Sequence, residues 1–147
     1  MPPFAPIGVV RSPYAARSDA PRQGRLSETL AEVVIFDAYR DGIRDLADHR
    51  FLFVLTWFHE ADRSVLTATP PSEQRSRGVF ATRSPDRPNP IGFCLVKLLE
   101  IDAGILRVQW LDAIDGTPVL DIKPFHRSLD CPEGEEPHET TSPVRPR

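Results

Sequence analysis

Metal-binding and nucleotide-binding signatures are missing from this chain. It has no CxxC pair and no HExxH helix, and its four histidines, His49, His59, His126 and His138, are scattered. A metal site is therefore not expected. No GxGxxG follows a strand, so a Rossmann nucleotide site has no support. A P-loop lysine pattern and a GxSxG serine turn are absent too. Cysteine is scarce: Cys94, in an apolar run, and Cys131, in a polar tail, are the only two among 147 residues. A chain of this length builds a core without disulfides, and so few cysteines point to a reducing compartment. The longest apolar run, residues 51–58, is too short to span a membrane. Residues 1–6 lack the charged start and apolar stretch of a signal peptide. There are no internal repeats at a fixed period. The expectation is one soluble, cytoplasmic domain.

Charge is present but unevenly placed. The formal net charge of −3 argues against a strong nonspecific nucleic-acid binder. Residues 11–25 nevertheless hold four arginines against Asp19, a net of +3. Residues 71–90 hold Arg75, Arg77, Arg83 and Arg87 against Glu73 and Asp86, a net of +2. Two basic loops on an acidic body form one positive surface if they meet in space; otherwise they are solvated charge.

The segment organising the chain is Gly78-Val-Phe-Ala-Thr-Arg-Ser-Pro-Asp-Arg-Pro-Asn-Pro-Ile-Gly92. Its first half reads as a short strand. In its second half Pro85, Pro88 and Pro90 remove donors and fix φ, and each pushes its preceding residue toward extended backbone. Arg83 and Arg87 therefore sit on a stiff support, which lowers the entropic cost of binding an anion or polar cofactor.

Around that loop the pattern is all-β. Residues 4–12 alternate as a first strand, followed by a long polar loop at 13–25. Residues 31–37 are β-branched and read as a second strand. Ile43, Leu46 and Ala47 recur at helical spacing, predicting a short helix over 40–48. Residues 51–58 are continuously apolar, which predicts a strand buried on both faces. Strands are also expected at 64–69, 93–101, 105–111 and 119–123, with a hairpin turn at Asp102-Ala103-Gly104. Together these predict an all-β barrel or sandwich with small helical additions, occupying residues 1–130. Residues 131–147 offer almost no apolar surface and are expected to stay disordered.

Polar turns at strand ends are the candidate chemistry. Pro21-Arg22-Gln23 combines a fixed φ, a donor fork and an amide. His59-Glu60 ends the most apolar strand abruptly and suits proton chemistry or ligand contact, although a strand-end histidine also caps turns. Arg83 precedes the prolines. In Asp115-Gly116-Thr117-Pro118 the glycine permits close backbone approach and the aspartate accepts hydrogen bonds, as in any Asp-Gly turn.

Four long motifs, in order, resemble the TrmO (YaeB-like) family. They are Ile7-Gly-Val-Val-Arg-Ser-Pro-Tyr14, Pro21-Arg-Gln23, the 78–92 segment, and Leu111-Asp-Ala-Ile-Asp-Gly-Thr-Pro-Val-Leu-Asp-Ile-Lys-Pro-Phe125. The resemblance covers roughly residues 5–127 and implies a small β-barrel methyltransferase that uses S-adenosyl-L-methionine and works as a homodimer. It implies N6-methylation of threonylcarbamoyladenosine at position 37, beside the tRNA anticodon. Matched residue by residue, it implies cofactor contacts at Pro21, Arg22, Gln23, His59, Glu60, Arg83, Leu95, Asp115, Gly116, Thr117 and Pro118. His59 is the side chain best suited to assist proton loss from an amine nucleophile. Arg11, Arg17, Arg25, Arg75, Arg77 and Arg87 are candidate RNA contacts if they flank the pocket. A module that binds the donor without modifying RNA, and a methyltransferase acting on a small molecule or protein, stand as alternatives. The tail takes the place of the extra C-terminal domain of bacterial relatives.

Overall fold

The described residues, 3–20 and 28–132 of a computed structural model, form eight strands. These are β1 (Gly8–Arg11), β2 (Leu30–Ile35), β3 (Phe51–Trp57), β4 (Thr67–Ala68), β5 (Arg77–Gly78), β6 (Ile91–Asp102), β7 (Ile105–Gln109) and β8 (Pro118–Pro124). Six of them close a barrel in the order β1-β2-β7-β6-β3-β8, and β4 pairs with β5 separately. Every barrel pairing is antiparallel. Closure leaves no sheet edge to attract another chain.

Period-two alternation explains the interior. Val10, Ala31, Val33, Ile35, Leu52, Val54, Val96, Leu106, Val108 and Val119 point inward and are buried. Burying each larger side chain contributes about 1.5–3 kcal/mol. Between them Glu32 and Arg107 point outward, where Arg107 meets Glu32 at 3.6 Å and Glu100 at 2.6 Å. These exposed pairs contribute roughly 0–1 kcal/mol. The Asp102–Gly104 hairpin forms as expected, with Ala103 at φ +50° and Gly104 at φ +78°, the backbone of a two-residue type I′ turn.

Several expected elements take a different form. The 40–48 helix is instead 3₁₀ backbone, Asp37–Ile43 then Leu46–Asp48, broken by Asp45 at φ +66°. A mid-segment Gly42 and so little apolar surface favour short turns over a helix. The first half of the 78–92 segment is not a strand beyond Gly78: Val79–Ala81 is a 3₁₀ turn. Arg87 pulls it round by donating to the Val79 and Thr82 carbonyls. The 64–69 strand is only Thr67–Ala68. β3 is fully buried on its inner face alone; Phe51, Phe53, Leu55 and Trp57 are half-buried outside. There Phe53 stacks on Phe93 with centroids 4.6 Å apart and Phe51 on Trp110 at 5.7 Å, each pair adding about 0.5–1.5 kcal/mol. An unforeseen helical turn, α1 (Arg127–Asp130), follows β8. The expected disordered tail lies outside the described residues from 133 onward. No described helix is long and apolar enough to cross a membrane.

The strand order has one consequence for the site. The long connections β1–β2, β3–β6 and β7–β8 all open on the same mouth of the barrel. The opposite end carries the tight β6–β7 hairpin and the 3₁₀ turns between β2 and β3.

Candidate active site at one mouth of the barrel

At the loop-bearing mouth lies a cavity of about 260 Å³, lined by Arg17, Ala20, Phe58, His59, Glu60, Ala61, Arg83, Pro85, Asp112, Ile114 and Thr117. A second lobe of about 110 Å³ adjoins it, lined by Phe58, Arg83, Arg87, Ile91, Gly92, Phe93 and Asp112. Together they reach the roughly 300–1,000 Å³ range of small-molecule sites.

Each wall is fixed by its own local chemistry. Asp86, in the proline loop, pairs with Arg17 at 3.1 Å and accepts the Asp62 N–H at 2.9 Å. The Arg17 hydrogen bond, followed by the Asp62 N–H, holds the Asp86 carboxyl below the usual aspartate range. Arg63 donates to the Pro88 carbonyl at 2.8 Å, and Phe58 N–H to the Pro90 carbonyl at 2.8 Å. The β1–β2 loop, the segment after β3 and the proline loop are thus joined around the cavity. On the remaining wall Ser12 Oγ donates to the Ala113 carbonyl at 2.8 Å, and Asp115 accepts the Ser12 N–H at 3.1 Å. Gly116 turns the chain at φ +83°, backbone that favours glycine.

Of the residues expected at the site, His59, Glu60, Arg83 and Thr117 meet at the cavity. Arg83 is exposed, with its guanidinium 5.8 Å above the Phe93 ring. Thr117 is fully buried and its hydroxyl donates to the Ile114 carbonyl at 2.7 Å. Asp115, Gly116 and Pro118 are not on the cavity wall; they lace the turn beneath it. Leu95 is also off the wall, because its odd position in β6 places it outward, beside Phe53 in register. Pro21, Arg22, Gln23 and Arg25 lie outside the described residues, although Ala20, directly before them, lines the cavity.

Among the described residues the arginines do not form one free basic face. Arg17 lines the cavity but is paired with Asp86, and Arg77 is paired with Glu73. Arg11 and Arg75 are exposed elsewhere. Arg87 lines the smaller lobe and clamps the 79–82 turn through the Val79 and Thr82 carbonyls, and its buried Nε has no acceptor among the described residues.

The sequence reading missed Asp112 and Phe58, which line both lobes. Asp112 follows an apolar strand just as His59-Glu60 does, and that shared position was the available signal. Burial raises the Asp112 carboxyl above the ordinary range, opposed by a hydrogen bond from Cys94. Burial first, then the nearby Asp112 charge, pushes the Cys94 thiol up to about 12, so it stays protonated. Its single proton is directed to the Trp110 carbonyl, 2.9 Å away.

The donor set fits a sulfonium nucleoside carrying an amino-acid group. Arg17 and Arg83 suit its carboxylate, Glu60 its ammonium, and Phe58 with Ile114 its apolar surface. No group of three or more His, Cys, Asp or Glu able to hold a metal occurs among the described residues.

Comparisons with known proteins agree. A family model described as the tRNA-methyltransferase O N-terminal domain matches residues 9–131. An S-adenosyl-L-methionine-binding protein of Archaeoglobus fulgidus is 50% identical over 135 residues, covering 90% of this chain and 97% of that one. The tRNA (adenine(37)-N6)-methyltransferase of Escherichia coli is 41% identical over 133 residues, covering 83% of this chain and 57% of that enzyme. A crystal structure of TrmO from Pseudomonas aeruginosa matches with a TM-score of 0.77 at 30% identity, covering 99% of this chain and 65% of that one. The chain therefore spans nearly the whole archaeal relative and under two thirds of either bacterial one.

Proposed function

The chain belongs to the tRNA-methyltransferase O family, and from that membership we propose that it binds S-adenosyl-L-methionine at the barrel mouth and methylates tRNA. The proposed acceptor is N6 of threonylcarbamoyladenosine at position 37. The observation that carries this reading is the meeting of His59, Glu60 and Arg83, from distant parts of the β3–β6 connection, with Thr117, from the β7–β8 connection, around one cavity.

When bound, the sulfonium supplies an electrophilic methyl group. The protein's task is then to position the reactants and exclude water. Arg83 and Arg17 anchor the donor's carboxylate, while Glu60 faces its ammonium. Phe58 and Ile114 keep water from the reacting centre. Thr117, held by Ile114, stiffens the floor. The β-barrel domain of residues 1–130 is proposed to act as a cytoplasmic homodimer. Exposed Leu30 and Leu99, which line neither lobe, support self-association.

Calorimetry with S-adenosyl-L-methionine, then mass spectrometry of nucleosides from treated tRNA, tests the reading. The expected result is one site per chain and a methylated threonylcarbamoyl nucleoside. A chain that binds no donor would overturn it.

A second reading, a module that binds the donor without modifying tRNA, draws on the pairing of Arg17 and Arg77 with local acids. Those pairs reduce the free basic surface an RNA would need. Donor binding with no change in any tRNA nucleoside would favour it.

A further inference from the structure

We propose that Asp112 is the proton acceptor of the methyl transfer, resting on the reading of the cavity as the donor site. A methyl group moves only where donor and acceptor meet. The two lobes share Phe58, Arg83 and Asp112. Phe58 carries no ionisable group. Arg83 has donors and no acceptor. Asp112 alone of the three can take a proton. His59 and Glu60 line the larger lobe only and are exposed at its rim, so neither stands at the junction.

The backbone leading to Asp112 is built for this placement. Trp110 adopts φ +75°, an uncommon region for a bulky residue that clusters at functional sites. That turn ends β7 and carries Asp112, two residues on, to the shared wall. The Trp110 carbonyl accepts from Cys94, which fixes the strained residue against β6. Cys94 lies beside the Asp112 carboxyl and stays protonated, so it adds no charge there. Burial, by raising that carboxyl, makes it a better base near neutral pH than an exposed aspartate.

In the step, Asp112 receives the N–H proton as the nitrogen lone pair forms the bond to the methyl carbon. The carbon–sulfur bond breaks with its electron pair staying on sulfur, which becomes a neutral thioether. The proton then passes to water at the cavity mouth. Groups lining the lobes that bear charge or titrate are Arg17, His59, Glu60, Arg83 and Arg87, with Cys94 buried behind Asp112, so the test must separate Asp112 from these.

The full chain is assayed with S-adenosyl-L-methionine and with tRNA from a strain lacking this enzyme. In the donor-free protein, carboxyl ¹³C NMR should show a resonance absent from Asp112→Asn and titrating above the ordinary aspartate value of ~3.9. Asp112→Asn should bind the donor within about threefold of wild type, lower kcat by about 100-fold or more, and flatten the acid limb of the pH–rate profile. Asp112→Glu should restore part of the rate, and His59→Gln should keep the acid limb. Circular dichroism checks folding; should Asp112→Asn not fold, Asp112→Glu and the NMR titration decide. An ordinary Asp112 midpoint, or an Asp112→Asn enzyme with unchanged kcat and acid limb, would overturn this inference alone. Loss of the acid limb in His59→Gln would do the same. Wild-type protein that fails to bind donor or to methylate tRNA would overturn the functional reading, and this inference with it.

Discussion

Arg17 and Asp86 meet at 3.1 Å across the barrel mouth, and the same carboxylate accepts the Asp62 N–H. Asp86 thus holds three separate segments at the rim. Its lowered carboxyl pKa means that the stabilisation is present above the unfolded aspartate value and is lost as pH falls through the lower folded one. The pair is partly exposed, so Asp86→Asn should remove only about 0–1 kcal/mol at neutral pH. Its larger effect should fall on the rim: faster limited proteolysis in the 13–20 and 59–64 segments, with the barrel's melting temperature nearly unchanged.

Arg83 stands over Phe93 and lines both lobes. No carboxylate among the described residues pairs with it. Arg83→Ala should weaken S-adenosyl-L-methionine binding by at least ~10-fold, the scale of one charge-assisted contact. Calorimetry giving an unaltered dissociation constant would remove Arg83 from the donor site.

Gly92 has no room for a side chain. A Cβ there would stand 2.2 Å from Thr56 Oγ1 and 2.6 Å from Phe58 Cζ. Gly92→Ala must therefore drive Phe58 toward the cavity or strain β3. Overpacking of this kind destabilises by about 1–3 kcal/mol. Denaturant unfolding should show that loss, and donor affinity should fall with it; a variant as stable as wild type would contradict the packing described.

Asp112 should make the protein less stable at the pH where it works. With its folded value raised by burial, the native chain keeps a proton that the unfolded chain has released, across the window between the two values. Stability then falls as pH rises through that window and stays lower above it. Asp112→Asn should accordingly melt higher than wild type at neutral pH, and the difference should vanish at pH ~3, below the ordinary aspartate value. Scanning calorimetry at both pH values measures it.

Much of the barrel was legible because inward and outward residues alternate: Leu106 and Val108 against Arg107 leave little choice of face. The proline loop was legible because three prolines exclude helix and central strand alike. Residues 40–48 misled because Ile43, Leu46 and Ala47 fit a 3₁₀ turn as well as an α-helix, and the apolar pattern does not show where Asp45 reverses the backbone. The meeting of His59, Glu60, Arg83 and Thr117 was indicated by resemblance, since no local periodicity brings residues so far apart together. Asp112 escaped notice as one polar residue in a turn-rich connection; its role depends on burial against β6, which follows only from barrel closure. Leu95 was placed at the cofactor by resemblance; strand parity turns its side chain outward, which leaves only its backbone for such a contact.

That the three long connections share one mouth limits how a nucleic acid can be served. On the proposed reading, with the acceptor entering the lobe of about 110 Å³ beside the donor, a base stacked and paired within a duplex cannot reach it. The nucleotide has to swing out of its stack and enter alone, which is least demanding in a hairpin loop, where no partner strand must be given up. A target at an anticodon-loop position fits that demand, and the same adenosine locked into a perfect helix should be refused.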